Sequence, residues 1–146
     1  MRHFLLVAVV LTSSLASAGS STTPSAVALV NERLIQPLAA KEREQSKFSR
    51  AALPPAARRV RVLDEKPQQD SAGNAFFSFA VDARHGWAAS EEGWKKAAIT
   101  GCVYPASGEV FIKRGNAFHP AKAALGKKTK PAPDATCHAT AQLSAR

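Results

Sequence analysis

Histidine is the side chain best suited to proton transfer near neutral pH, and three of the four in this chain, His85, His119 and His138, lie beyond its apolar N-terminus. His119 follows Lys113 and Arg114 closely. An acid beside two cations could protonate a leaving group and neutralise a phosphate. If the chain is an enzyme, we therefore expect His119, Lys113 and Arg114 to be its catalytic residues.

The spacing of these histidines argues against a metal site. They are separated by 34 and 19 residues, whereas metal ligands usually cluster at short spacing. His138 adjoins Cys137, but a disulfide would consume that thiol. We predict no metal and no cofactor.

Cys102 and Cys137 are the two cysteines of the chain, and their spacing is unlike that of a metal site or a C-x-x-C motif. An even pair in an exported chain is typical of a disulfide. Closing such a loop should contribute about 4 kcal/mol to stability. We predict that this bond ties the C-terminal tail to the middle of the domain.

A possible contact surface follows the second predicted strand. Asp82 and His85 are close in sequence, and Asp82 could orient a histidine or hold Arg84. Trp87 lies in the next loop, between two glycines. The alternative for Trp87 is that it caps the sheet edge. An exposed aromatic surface could be formed by Phe76, Trp87, Trp94 and Phe118, and the alternative for Trp94 is a position in the core.

The segment 19–55 has a helical pattern. Val27, Val30, Leu34 and Leu38 recur at spacings of three and four, which indicates one face of an amphipathic helix. Pro37 should kink or end it. We expect one kinked helix or two short helices.

The segment 56–146 changes to a period of two, which indicates strands. The predicted strands are 58–63, 75–83, 97–104 and 109–113, the last two forming a hairpin. A short helix should run from Phe118 to Leu125 and stop at Gly126. The fold class is therefore α+β: helix first, then an antiparallel meander of about four strands with one disulfide to the tail.

Residues 1–18 have the pattern of a cleavable signal peptide: a basic start at Arg2, the apolar run FLLVAVVL, then Ala16-Ser17-Ala18. The run is too short to span a membrane, which needs about 20 residues. No cysteine follows for a lipid anchor. We expect a soluble product without a transmembrane segment, secreted or periplasmic after cleavage near Ala18.

The net charge of +9, or +8 without the leader, favours anionic partners. The basic residues fall in small separate groups, and neither phosphate loops nor common hydrolase motifs are present. We predict a non-enzymatic binding, inhibitor or structural module of the cell envelope or exterior. Its partner would be an anionic envelope polymer or another protein.

The alternative is a small secreted basic hydrolase. The stretch 108–114 with His119 after it resembles the last hairpin of the bacterial ribonucleases of the barnase family, as does the order of helix and sheet. The resemblance implies that His119 is the general acid. The family's glutamate base lies on a central strand, whereas the corresponding strand here, 97–104, has no carboxylate. Glu91 and Glu92 fall in the preceding loop.

Overall fold

The computed structural model describes residues 25–47, 56–84 and 93–140, and the predicted leader, His85 and Trp87 lie outside them. A helical segment is followed by an antiparallel sheet of order β1-β3-β4-β5-β6, with β2 also paired to β3. This confirms the α+β prediction, with more strands than the expected four. The strands are β1 (Ala57–Val62), β2 (Gln68–Gln69), β3 (Ala75–Arg84), β4 (Trp94–Tyr104), β5 (Glu109–Arg114) and β6 (Ala117–Pro120).

The extra strand β6 replaces the start of the predicted short helix. Gly115 has a φ of 60°, so the chain reverses there and residues 117–120 pair with β5. The helix begins only at Ala121, as the 3₁₀ helix Ala121–Leu125. It ends at Gly126 as predicted, with that residue in the left-handed region at φ 80°.

The N-terminal helix, α1, covers residues 26–46 without a break at Pro37. It consists of α-helical Ala26–Val30, a π-helical turn Asn31–Ile35 and α-helical Gln36–Ser46. The Gln36 N–H donates to Asn31 O, five residues back. A widened turn directly before the proline gives its ring room, which accounts for the continuous helix.

One face of the sheet packs against α1. The helix contributes buried Leu29, Val30, Leu34 and Leu38, and the facing strand residues are Phe79, Val81, Val103, Val110 and Ile112. The prediction that Val27 belongs to the buried stripe is wrong, because this residue is 39% exposed. Gly101 lets the backbones of β4 and β5 approach closely, since a Cβ at this position would lie 1.9 Å from Phe111 O.

The opposite face of the sheet is partly covered by the C-terminal tail. Phe76, Cys102, Tyr104 and Cys137 form a second buried cluster, and Cys102 and Cys137 are joined by the predicted disulfide. The expectation of an exposed Phe76 is therefore wrong, because its side chain is fully buried under the tail. Earlier in the tail, before Cys137, the Ala132 N–H donates to Phe118 O on β6 at 2.7 Å.

Tyr104 links the tail to the β2–β3 turn. Its hydroxyl donates to Asp70 Oδ2 and accepts from the Cys137 N–H, each at 2.9 Å. Asp70 also accepts from the backbone N–H groups of Ala72 and Asn74. Burial of the phenol, together with the adjacent Asp70 carboxylate, raises the pKa of Tyr104 to about 12.

Tyr104 is the only tyrosine in the chain, so the ultraviolet absorbance of tyrosinate reports on it alone. We expect an ionisation midpoint at a pKa of about 12 in the folded protein, against about 10 in the unfolded chain. Because folding raises this pKa, the stabilisation is complete below pH ~10 and is lost as the pH rises through the folded-state value. Asp70→Asn should lower the midpoint. A folded protein that titrates near 10 would contradict the link.

Candidate functional site

The β5–β6 hairpin places the three predicted catalytic residues on different faces. His119 lies opposite Ile112, a residue of the core beneath α1, and Arg114 shares that face by the alternation along β5. Lys113 lies opposite Phe118 on the other face. The fold therefore brings Arg114 and His119 together and separates Lys113 from them.

Arg114 and His119 line an open depression of about 390 Å³, called here the basic depression. Its lining residues are Arg114, His119, Ala123, Gly126, Lys127, Lys128 and Thr129. The Arg114 Nη2 donates to Ala123 O at 2.8 Å, which holds the guanidinium over the 3₁₀ helix. The His119 Nδ1 lies 2.9 Å from Thr129 Oγ1, which fixes the imidazole ring.

The basic depression unites cations that are separate in sequence. Residues 110–133 include six basic side chains and no acidic one: Lys113, Arg114, Lys122, Lys127, Lys128 and Lys130. The structure brings Arg114 beside Lys127 and Lys128, and both lysines are exposed. Sequence reasoning did not group these residues, although the unbroken lack of acidic residues was a usable signal.

The chemical groups of this lining are suited to an anionic ligand. Arginine and lysine supply only donors and positive charge. Acid–base cleavage by the route that the ribonuclease alternative requires would need a carboxylate base near His119. Among the residues that the structure describes, no carboxylate lines the depression. Glu91 and Glu92 lie outside those residues.

Asp82 is fully buried and serves the fold. Its carboxylate accepts from Arg59 Nε at 2.9 Å and from Arg61 Nε and Nη2 at 2.9 and 3.1 Å. The Ala97 N–H donates to Asp82 Oδ1 at 2.9 Å, the oxygen that also accepts from Arg61 Nη2. These hydrogen bonds, of which those from Arg61 have the largest effect, hold the pKa of Asp82 well below its usual range, although burial alone would raise it. The Asp82 carboxylate is therefore inaccessible from solvent, whereas the Arg59 and Arg61 side chains remain partly exposed.

Trp94 lies beside two of the cations near Asp82. The guanidinium carbons of Arg59 and Arg84 are 4.4 and 4.9 Å from the centroid of its ring. Trp94 is only partly buried, so it belongs to a cation–π cluster on the face opposite α1. The neighbouring contact candidates, His85 and Trp87, lie outside the described residues.

The third histidine, His138, is engaged within the tail. Its Nδ1 lies 3.0 Å from Thr136 O, and its ring meets Phe118 edge-on. Residues 25–47, 56–84 and 93–140 contain no group of three or more His, Cys, Asp or Glu side chains able to hold a metal. Within the same ranges, no helix is long and apolar enough to cross a membrane.

No protein-family model matches the chain, and comparisons with curated proteins and with solved structures give no significant match.

Replacing Asp82 by Asn should destabilise the protein by about 3 kcal/mol, near the lower end for a broken buried pair. The cost stays moderate because the Arg59 and Arg61 side chains remain 35% and 46% exposed. Folding depresses the pKa of Asp82, so its stabilisation is complete above pH ~4 and is lost as the pH falls further. Urea unfolding at several pH values measures the effect.

Asp134→Asn is the matched control, because Asp134 is an exposed carboxylate in the tail. It should change the free energy of unfolding by less than ~0.5 kcal/mol at every pH. Equal effects of the two substitutions would contradict the structural role of Asp82.

Proposed function

We propose that this chain is an exported, non-enzymatic module that binds an anionic polymer of the cell envelope or exterior through the basic depression. The observation that carries the proposal is the convergence of Arg114, His119, Lys127 and Lys128 on one open surface with no carboxylate in its lining. Such a surface attracts polyanions over a distance comparable to the Debye length.

Export is supported by two independent features. Residues 1–18 combine a basic start, an apolar run and a small-residue cleavage pattern in that order. The Cys102–Cys137 bond is of the kind that persists in oxidising compartments outside the cytosol. Together they favour a mature chain that begins near Gly19.

Export is tested by expressing the full chain in a bacterium and measuring the intact mass of the product in the periplasm and the medium. We expect a product that begins near Gly19 and carries a disulfide. Val9→Arg, which puts a charge in the apolar run, should leave unprocessed chain in the cytoplasm. A product outside the cytoplasm that retains Met1 would contradict cleavage.

The lysines of the depression are suited to polymer binding because of their exposure. Lys127 and Lys128 are solvent-exposed and make no hydrogen bond or ion pair with the described residues. Their charges are therefore not neutralised within this part of the protein. Lys95 and Lys96 are also an exposed pair, on β4, and are not among the residues that line the depression, so they provide a control of identical charge.

Replacing Lys127 and Lys128 by Gln should weaken binding to immobilised polyphosphate by roughly ten- to thirtyfold, since each cation near an anionic surface contributes on the order of 1 kcal/mol. The double change Lys95→Gln and Lys96→Gln should weaken it by less than about threefold at the same ionic strength. Neutral dextran should bind none of the proteins. Equal losses in the two variants would show attraction by net charge alone and overturn the proposed surface.

A further inference from the structure

Arg114 and His119 are the two side chains of the basic depression that are held in fixed orientations. Each is fixed by one hydrogen bond, Arg114 to Ala123 O and His119 to Thr129 Oγ1. Neither has any other hydrogen-bond or ion-pair partner among the described residues. Lys127 and Lys128, in contrast, are exposed and make no hydrogen bond or ion pair with the described residues. The depression therefore combines a pre-oriented pair with two lysines that are not held in place by such contacts.

We propose that this pair is a phosphate site: Arg114 and His119 bind one phosphoryl group, and Lys127 and Lys128 bind the same group or its neighbours along a polymer. The proposal rests on the proposed function and specifies its ligand as a phosphate-bearing polymer. Arginine presents a planar fork that matches two phosphate oxygens, and phosphate has further oxygens for His119 and a lysine. A planar carboxylate has only two oxygens to share among these donors.

Thr129 is the positioning residue of this site. When the Thr129 hydroxyl donates to His119 Nδ1, the single N–H of the neutral imidazole lies at Nε2. That N–H can then donate to a phosphate oxygen. Thr129 lies in the tail that the disulfide holds against the sheet. The tail thus supplies Lys127 and Lys128 and also sets the hydrogen-bonding role of His119.

The test measures the affinity of the mature protein for polyphosphate, for polyglutamate of matched length and charge, and for inorganic phosphate, at one ionic strength. We expect polyphosphate to bind at least about tenfold more tightly than polyglutamate, because the fixed donors of Arg114 and His119 match a phosphoryl group better than a carboxylate. Arg114→Lys keeps the charge and loses the fork, so it should abolish the preference while retaining polyglutamate binding. Lys113→Arg, on the opposite face, should leave the preference intact.

The ring ¹⁵N shifts of His119 test the role of Thr129. Thr129→Val should change the tautomer populations and reduce the phosphate preference, and Thr129→Ser should restore both. Circular dichroism checks that each variant is folded. A purely structural role for Thr129 would leave the tautomer ratio of the folded variant unchanged and overturn its assignment.

The outcomes separate this proposal from the proposed function. Equal affinity of the unmodified protein for polyphosphate and polyglutamate overturns the phosphate site while polymer binding stands. Failure of both polymers and of inorganic phosphate overturns both proposals. Binding of inorganic phosphate alone supports the pair as a phosphate site, identifies the free ion as ligand and overturns the polymer.

Discussion

The buried carboxylate of Asp82 is the interaction on which the sheet depends. It lies on β3 and receives hydrogen bonds from Arg59 and Arg61 of β1 and from the Ala97 N–H of β4. To donate this bond, Ala97 adopts a φ of 51°, a left-handed conformation that costs an L-residue about 1–2 kcal/mol. The register shift between Val81 and Ala83 lies at the same place. Asp82 thus holds three strands in alignment through one charge.

From that alignment follows the placement of the tail. With β4 in register, Cys102 and Tyr104 face away from α1 and present a thiol and a hydroxyl to the returning chain. The disulfide and the hydrogen bond from the Cys137 N–H to Tyr104 then fix residues near 137. Between this anchor and Gly126, the chain carries Lys127, Lys128 and Thr129 to the surface. The basic depression is therefore a product of tertiary structure.

Much of the fold follows from local patterns. The spacing of Val30, Leu34 and Leu38 predicts the helix, and the alternation along β1, β3 and β5 predicts strands that the structure confirms. Strand β3 differs from its predicted pattern because it is buried on both faces, with Phe79 beneath α1 and Phe76 and Asp82 buried on the other face. The disulfide followed from the even cysteine count, the spacing and the predicted export. Phe76 was wrongly assigned to an exposed surface, because its burial depends on a tail without regular structure. Strand β6 was missed because Pro120 favoured a helix start.

The candidate site was only half predictable, for a similar reason. His119 and Arg114 stood out by residue type and closeness in sequence. Lys113 was grouped with them because only the register between β5 and β6 shows that it lies on the opposite face from His119. Lys127 and Lys128 were left out because their approach to Arg114 depends on the 3₁₀ helix. The partners of Asp82 required the β1–β3 register. The alternation of side chains along a strand puts Arg59 and Arg61 on the same face of β1, but it does not show which residue of the neighbouring strand lies beside them.

The hydrogen bond from Ala132 to Phe118 also bears on how this molecule behaves among its own copies. Ala132 stands between Pro131 and Pro133, which have no N–H to donate, so the tail covers part of edge strand β6 but cannot itself continue as a strand. At the other edge, β1 carries three arginines. A capped edge and a charged edge both disfavour the addition of a strand from another copy, which is how natural sheets limit aggregation through their edges.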